Sequence, residues 1–328
     1  MAAIALRSPQ YKTALADTGT PLSAKITISI DGTIEYTLVK LTSLNQNMLW
    51  EISQLCRDFI NITFNGTYTA ETLAIISTLT SHASTDGTGT ALTTDTFTDV
   101  GYDGYGTFME GDNPEVPFSN RPRWLLNTNP NSLDVYYIYV PNNTAGVLPY
   151  IAANASLNYQ SFTSSATEIN SGGGQYDVDI IRIDCTKYGY GHKITFVNKF
   201  GALQDIWFFL KSVNTTNKKQ EQFQRNIITS TGSYNVNTHT KQDYNTVANT
   251  SISLSSGYYP EWANQWFEQL LLSEQVWLTR INPFNLSDSQ VVPVNVRKSS
   301  MVKKTSLNDK LIDYTFEFDM SFDYINNI

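Results

Sequence analysis

The sequence predicts a mainly β protein: antiparallel β-sandwich or barrel-like domains carrying two short amphipathic helices, over residues 47–60 and 260–272. Three observations predict it. Apolar residues recur at every second position in several separate runs. Turn signals rich in Gly, Asn and Asp divide those runs. Two stretches alone switch to apolar spacings of three and four.

Residues 24–40 carry the clearest alternation, with Ile26, Ile28 and Ile30 between polar neighbours. Asp31-Gly32 follows as a two-residue hairpin turn, and Ile34, Tyr36 and Leu38 alternate beyond it. Over 47–60 the period changes: Leu49, Ile52, Leu55, Cys56, Phe59 and Ile60 form one helical stripe, leaving Glu51, Arg57 and Asp58 outside. Asn61–Thr80 returns to strand character. Residues 1–80 thus read as an N-terminal β-domain with one helix. From 81 to 117 the chain reads as a Gly/Asp/Thr-rich loop or arm, an ordered excursion that docks on a neighbour. Its Gly101-Tyr102-Asp103-Gly104-Tyr105-Gly106 run would need a strand before it and a helix after it to be a nucleotide loop, and no helical pattern follows. A calcium loop would suit the Asp content, but the EF-hand spacing is absent.

Residues 118–190 form a middle β-region, with a strand over 133–140, further strands around 147–163, a turn at 170–175 and a strand over 178–184. Residues 191–328 read as a C-terminal β-domain. Lys193–Val197 and Ile206–Leu210 are strands about a turn at Lys199–Gly201. Residues 211–256 are polar and fit long edge strands or an extended arm. Pro260 starts the second helix, whose apolar face is Trp262, Trp266, Phe267, Leu270 and Leu271. Strands follow at 276–281 and 291–296, where Pro293 argues for an edge or a bulge. The last strand places Ile312, Tyr314, Phe316, Phe318, Met320 and Phe322 on one face and is expected to pair antiparallel with 291–304.

Charged residues make up 16% of the chain, against about 25% in an ordinary soluble domain. Thr, Ser, Asn and Tyr replace them, which suits strands with one wet face and surfaces that meet other proteins. A net charge of −8 and a pI near 4.9 argue against a nucleic-acid partner, which needs a basic stripe. No run approaches the roughly 18 apolar residues of a membrane span, and Met1–Arg7 lacks the charged start of a secretion signal. Synthesis in the cytoplasm is therefore expected. Cys56 and Cys185 sit in no metal or redox spacing; buried thiols are the plainer expectation, with a single bridge left open.

The search for chemistry assigns no catalytic, cofactor-binding or metal residue. His82, His192 and His239 are each isolated, and no GxSxG, HExxH, Walker A or zinc-spaced set occurs. Two carboxylate groupings, Asp177, Asp179 and Asp184, and Asp99, Asp103, Glu110 and Asp112, admit glycan hydrolysis in principle. Alternate Asp on a strand more simply decorates its solvent face. Trp262, Trp266 and Trp277 fit a core better than a sugar platform.

Several segments read together as a set. These are Arg7-Ser8-Pro9-Gln10-Tyr11, Ala24–Ile28 with Gly32-Thr33 and Tyr36-Thr37, Glu51–Ile60, Phe196–Ala202 with Trp207-Phe208-Phe209, and Leu270–Trp277. The set closes with Pro293-Val294, Lys303-Lys304-Thr305, Asn308–Leu311 and Tyr314-Thr315. In that order the chain resembles a family of structural, tail- or baseplate-type proteins encoded by tailed phages and prophages of marine and Bacteroidota-type bacteria. The likeness covers both ends well and 81–190 poorly. It implies a virion protein that is not an enzyme, assembled in the host cytoplasm into a multi-copy ring or tube. Its expected partners are copies of itself and neighbouring virion proteins, with no cofactor, nucleic acid or membrane. A receptor- or glycan-binding virion protein is the alternative expectation, and a carboxylate-based glycan hydrolase the third.

Overall fold

The computed structural model describes residues 2–14, 21–42, 47–114, 135–151, 156–170, 177–183, 191–280, 290–297, 300–305 and 310–324. The N-terminal elements are β1 (Ala2–Ala5), β2 (Tyr11–Ala14), β3 (Ser23–Ile30), β4 (Thr33–Leu41), β5 (Met48–Glu51), α1 (Ser53–Arg57), β6 (Leu73–His82) and β7 (Ala91–Tyr102). Five of the strands make a sheet in the order β1-β7-β6-β3-β4, in which β1 alone runs parallel to its neighbour. Asp31 (φ 48°) and Gly32 (φ 87°) both take left-handed backbone, as the two-residue turn between β3 and β4 requires. Ile26, Ile28 and Ile30 alternate into a core shared with Leu73, Ile75, Leu79, Trp50, Ile52 and Cys56.

Two expectations change here. The helix read over 47–60 is confined to Ser53–Arg57, because Met48–Glu51 pairs antiparallel with Tyr11–Ala14 as a strand. Trp50 and Ile52 are buried while Leu49 points outward, so strand alternation and one helical turn together mimic a single stripe. The Glu51 carboxylate accepts the N–H of Ser53 at 2.8 Å, at the point where strand becomes helix. The loop read over 81–117 is in large part β7, paired along its length with β6. Its Asp and Gly residues resemble breakers, yet Thr93, Thr94, Thr96 and Thr98 are β-branched and favour extended backbone. On the outer face Thr37, Thr27, Thr78 and Thr96 stand in one row across four strands.

The middle region holds β8 (Val135–Pro141), β9 (Gly146–Ile151), β10 (Leu157–Phe162), β11 (Glu168–Asn170) and β12 (Asp177–Ile183). β9 and β10 form a hairpin, and β11-β12-β8 a small sheet with β12 and β8 parallel. The Arg182 guanidinium donates to the carbonyls of Thr144 (2.6 Å), Ala166 (2.8 Å) and Thr163 (2.9 Å), tying two turns of this region together.

The C-terminal elements are β13 (His192–Val197), β14 (Leu203–Phe208), β15 (Ser212–Gln224), β16 (Lys241–Ser255), β17 (Tyr259–Pro260), a 3-10 turn at Glu261–Ala263, α2 (Asn264–Leu272), β18 (Val276–Arg280), β19 (Gln290–Val296), β20 (Leu311–Ile312) and β21 (Thr315–Met320). Seven strands form an all-antiparallel sheet, β14-β13-β18-β19-β21-β16-β15. The 3-10 turn and α2 cover one face of it. Phe267 is fully buried and packs against Phe208, Phe316, Tyr259 and Tyr314 with centroid separations of 5.1–6.2 Å. The run expected as one last strand is split: Ile312 is buried in β20, which pairs with β17, Tyr314 is buried between β20 and β21, and Phe316, Phe318 and Met320 are buried in β21, whereas Phe322 lies past its end and is half exposed.

Pro293 overturns the expectation of an edge or bulge, since β19 lies inside the sheet between β18 and β21. Its carbonyl accepts Ser321 N–H at 3.2 Å, so its nitrogen faces the same side, just beyond the end of β21 at Met320. The missing N–H therefore falls where the ladder has stopped. The sheets stack in a sandwich-like manner without closing into a barrel, and the whole is mainly β with two helices.

The Gly101–Gly106 run docks on the chain's own turn at residues 198–202. Tyr105 N–H donates to the Lys199 carbonyl at 2.8 Å, and the Lys199 ammonium pairs with Glu110. A Cβ at Gly104 would lie 2.7 Å from the Lys199 carbonyl oxygen, so the backbones meet there without a side chain between them.

Candidate assembly surface

The most unusual surface is the pair β15–β16. β16 pairs with β21 from Ser251 to Ser255; from Thr250 out to Lys241 its strand partner is β15. At ~3.3 Å per residue, the ribbon runs about 30 Å past β21; Ala248 near its root is buried and its carbonyl accepts Tyr324 N–H at 2.7 Å, so the outer half, from Asn245 to Lys241, stands clear. The sequence explains the projection, because Asn, Thr, Gln and Lys fill both faces and no residue of β15 is buried. Cross-strand contacts stiffen it. Lys218 Nζ lies 3.3 Å from Asp243 Oδ2, Gln222 Nε2 donates to Asp243 Oδ1 at 2.7 Å, and the Phe223 and Tyr244 rings meet edge to face. The Gln222 hydrogen bond, then Lys218, hold the Asp243 carboxyl below the usual carboxylate range. A bulge between Lys219 and Glu221, beside Asn245 at φ 50°, twists the ribbon.

The tip over 225–240 is held by turns: Arg225 N–H to the Thr240 carbonyl, Thr229 N–H to Ser233 and Thr238 N–H to Asn235, at 2.8–3.0 Å. It displays Ile228, Tyr234 and Val236, the last 81% exposed. Two-stranded ribbons are marginal in water, and apolar groups held out on one mark a surface that another protein covers.

Two further apolar surfaces stand clear of the core. β4 is the open edge of the five-stranded sheet and exposes Ile34 (65%), Leu38, Val39 and Leu41 (68%). A 3-10 turn at Phe108–Glu110 presents Phe108 (97% exposed) and Met109 (91%) side by side. That turn is rigid, for Thr107 N–H donates to Glu110 Oε2 at 2.7 Å while Glu110 also pairs with Lys199. A calcium loop is one reading of this region, but among its described residues no three acidic groups gather to hold an ion.

Among the described side chains, the carboxylates singled out in the sequence do not converge. Asp99 pairs with Lys12, buried Asp103 with Arg57 (3.6 Å), and Glu110 with Lys199; Asp112 is exposed. Burial raises the Asp103 carboxyl, with Arg7 and Arg57 opposing the rise. Asp179 is the register partner of Glu168, Asp177 that of Asn170, and Asp184 lies outside the described residues. His82 is buried beside the Thr80 hydroxyl (2.9 Å), His192 opens β13, and His239 lies in the exposed tip. Trp266 and Trp277 are buried and Trp262 half-buried, Trp262 meeting Trp266 edge to face. Cys56 is a free buried thiol, pushed up to about 12 by burial; Cys185 lies outside the described residues.

Sequence reasoning missed two polar clusters. In one, Tyr68 OH donates to Asp205 Oδ2 (2.5 Å) and accepts from Lys193 Nζ (2.9 Å), while Thr195 donates to Asp205 Oδ1 (2.7 Å). Lys193 lies over the Phe64 and Tyr68 rings. The available signal was Lys193 and Thr195 alternating with Ile194 and Phe196 in a strand with both faces covered. In the other, Glu274 pairs with Arg7 (3.0 Å) and Arg57, and Arg57 with Asp103, joining the N-terminal elements to the end of α2. Both clusters fasten elements together, each group engaged by another.

Among the described residues no group of three or more His, Cys, Asp or Glu is placed to hold a metal ion, and no helix is long and apolar enough to cross a membrane. No protein-family model, curated protein or solved structure matches this chain.

Proposed function

We propose that this chain is a structural protein of a tailed-phage virion, self-assembling in many copies into a ring or tube of the tail or baseplate. The observation that carries the reading is the β15–β16 ribbon, about 30 Å of two-stranded backbone with exposed Phe223, Tyr244, Ile228, Tyr234 and Val236. An arm of that kind stabilises nothing in its own chain beyond its root, and it gains its buried surface on reaching a neighbour. Low charge, Thr-rich strand faces and the resemblance described from the sequence support the same reading. The chain acts in the virion through copies of itself and neighbouring virion proteins, without catalysis or cofactor.

The test is the mass of the purified protein by light scattering at two concentrations, with negative-stain images of the same samples. Closed rings or tubes of fixed stoichiometry are expected, with more than about 2,000 Å² buried per contact for an obligate assembly. A persistent 36.8 kDa monomer that binds glycans would overturn the reading in favour of a receptor-binding role.

A further inference from the structure

We propose that the open edge of β4 is the acceptor for the ribbon of a second copy, which adds to the five-stranded sheet as further strands. The inference rests on the assembly reading above and names the contact that makes it.

Each large sheet has one edge closed by its own chain and one left open. At the closed end of the five-stranded sheet, Gln10 Nε2 and Ala5 N–H both donate to the Pro114 carbonyl alongside β1. At the closed end of the seven-stranded sheet, β14 is buried against β8 and β9. Among the described residues, the edges left open are β4 and β15. β4 offers nine residues without proline; a bulge sets Glu35 out of register between Ile34 and Tyr36, and Lys40 lies over the Trp50 ring and donates to the Leu49 carbonyl. The bulge and the inward Lys40 are devices that guard a free edge, yet four large apolar side chains, Ile34, Leu38, Val39 and Leu41, stay exposed along this one. The ribbon supplies the complement: thirteen residues in β15, longer than β4, with Phe223 and Tyr244 exposed.

Charge agrees. The 211–256 stretch carries Lys211, Lys218, Lys219, Arg225 and Lys241 against Glu221 and Asp243, a surplus of positive charge on a chain of net −8. The arm is thus attracted to a second copy although two whole chains repel. Because donor and acceptor edges differ, the contact is head to tail, the kind that closes a ring or extends a filament.

The experiment uses two variants of the chain. An acceptor-only chain has residues 220–246 replaced by Asn-Gly, joining the register pair Lys219 and Val247. A donor-only chain carries Ile34→Lys and Leu41→Lys. Each alone is expected to run as a monomer while the unmodified chain assembles, and their mixture to give a 1:1 dimer of about twice 36.8 kDa. Assembly of the donor-only chain at the unmodified size, or the lack of a mixed dimer, overturns the β4 contact and leaves the assembly reading standing. An unmodified chain that stays monomeric overturns both. Hydrogen exchange decides the matter without substitutions in β4. The alternate β4 amides that do not face β3 exchange fast in the acceptor-only monomer and must slow at least tenfold in the assembly; equal rates overturn the proposal.

Discussion

Gly201 sits so close to Asp103 that a Cβ on the glycine would lie 2.8 Å from the Asp103 backbone nitrogen. Its φ of 82° adds a second constraint, since left-handed backbone strains any residue with a side chain. This contact is where the loop after β7 meets the turn between β13 and β14. Gly201→Ala is therefore expected to destabilise the fold by about 2–4 kcal/mol, from backbone clash and positive φ together. Denaturant melts followed by tryptophan fluorescence measure it. A loss under about 0.5 kcal/mol, the range of neutral surface changes, would mean that the two loops part freely.

Asp103 itself gives a pH signature. Burial holds its carboxyl above the ordinary value near 3.8, more than Arg7 and Arg57 draw it down. A raised carboxyl contributes stability that is fully present below the unfolded value and is lost as pH rises through the folded one. Unmodified protein should thus lose stability relative to Asp103→Asn as pH rises from about 4 through the mildly acidic range, with a constant difference above that. Melts of both proteins across that range test it. The reverse slope would show that the two arginines outweigh burial.

The Tyr68 hydroxyl bridges Lys193 and Asp205 where the 60–68 segment lies on the seven-stranded sheet, beside Phe64 and Trp277. Tyr68→Phe keeps the ring packing and removes the bridge, leaving Asp205 with Thr195 and a Lys193 ammonium 3.6 Å away. A loss of about 1–3 kcal/mol is expected, the cost of leaving buried polar groups short of a partner. Burial and then Asp205 raise the phenol itself. In an ultraviolet titration Tyr68 should therefore ionise after the exposed tyrosines, in the late group with buried Tyr102, Tyr159 and Tyr259, and the Phe variant should lose one tyrosine from that group.

Local pattern carried much of the fold. The Ile26–Ile30 and Tyr314–Met320 alternations and the Asp31-Gly32 turn are period-two signals that nothing nearby contradicts, and each stands where the sequence puts it. Met48–Glu51 misled because its strand partner, Tyr11–Ala14, lies far back in the chain, and pairing rather than period decides a four-residue segment. β7 misled because Asp99 reads as a loop residue until Lys12 is brought beside it. The Arg7–Glu274 pair joins opposite ends of the chain, beyond the reach of any local window. The polarity of 211–256 did identify the arm-like β15, which buries nothing, but not the root of β16, where Ile252 and Leu254 are buried between β21 and β15.

Phe108 and Met109 are the most exposed large apolar side chains among the described residues, and their rigidity gives them a separate consequence. Glu110 is bound both to Thr107 N–H and to Lys199, so the turn holds its two side chains in water instead of folding them inward. Neither side chain contributes to the core. Phe108→Ser with Met109→Ser should therefore shift the unfolding free energy of the monomer by no more than about 0.5 kcal/mol. The same change removes two large apolar groups from the surface and should raise the concentration at which the chain self-associates, read by sedimentation velocity over a dilution series. Unchanged association would make the turn a bystander. A large loss of stability would show instead that Phe108 and Met109 pack against the chain in solution, and that the turn is not held open.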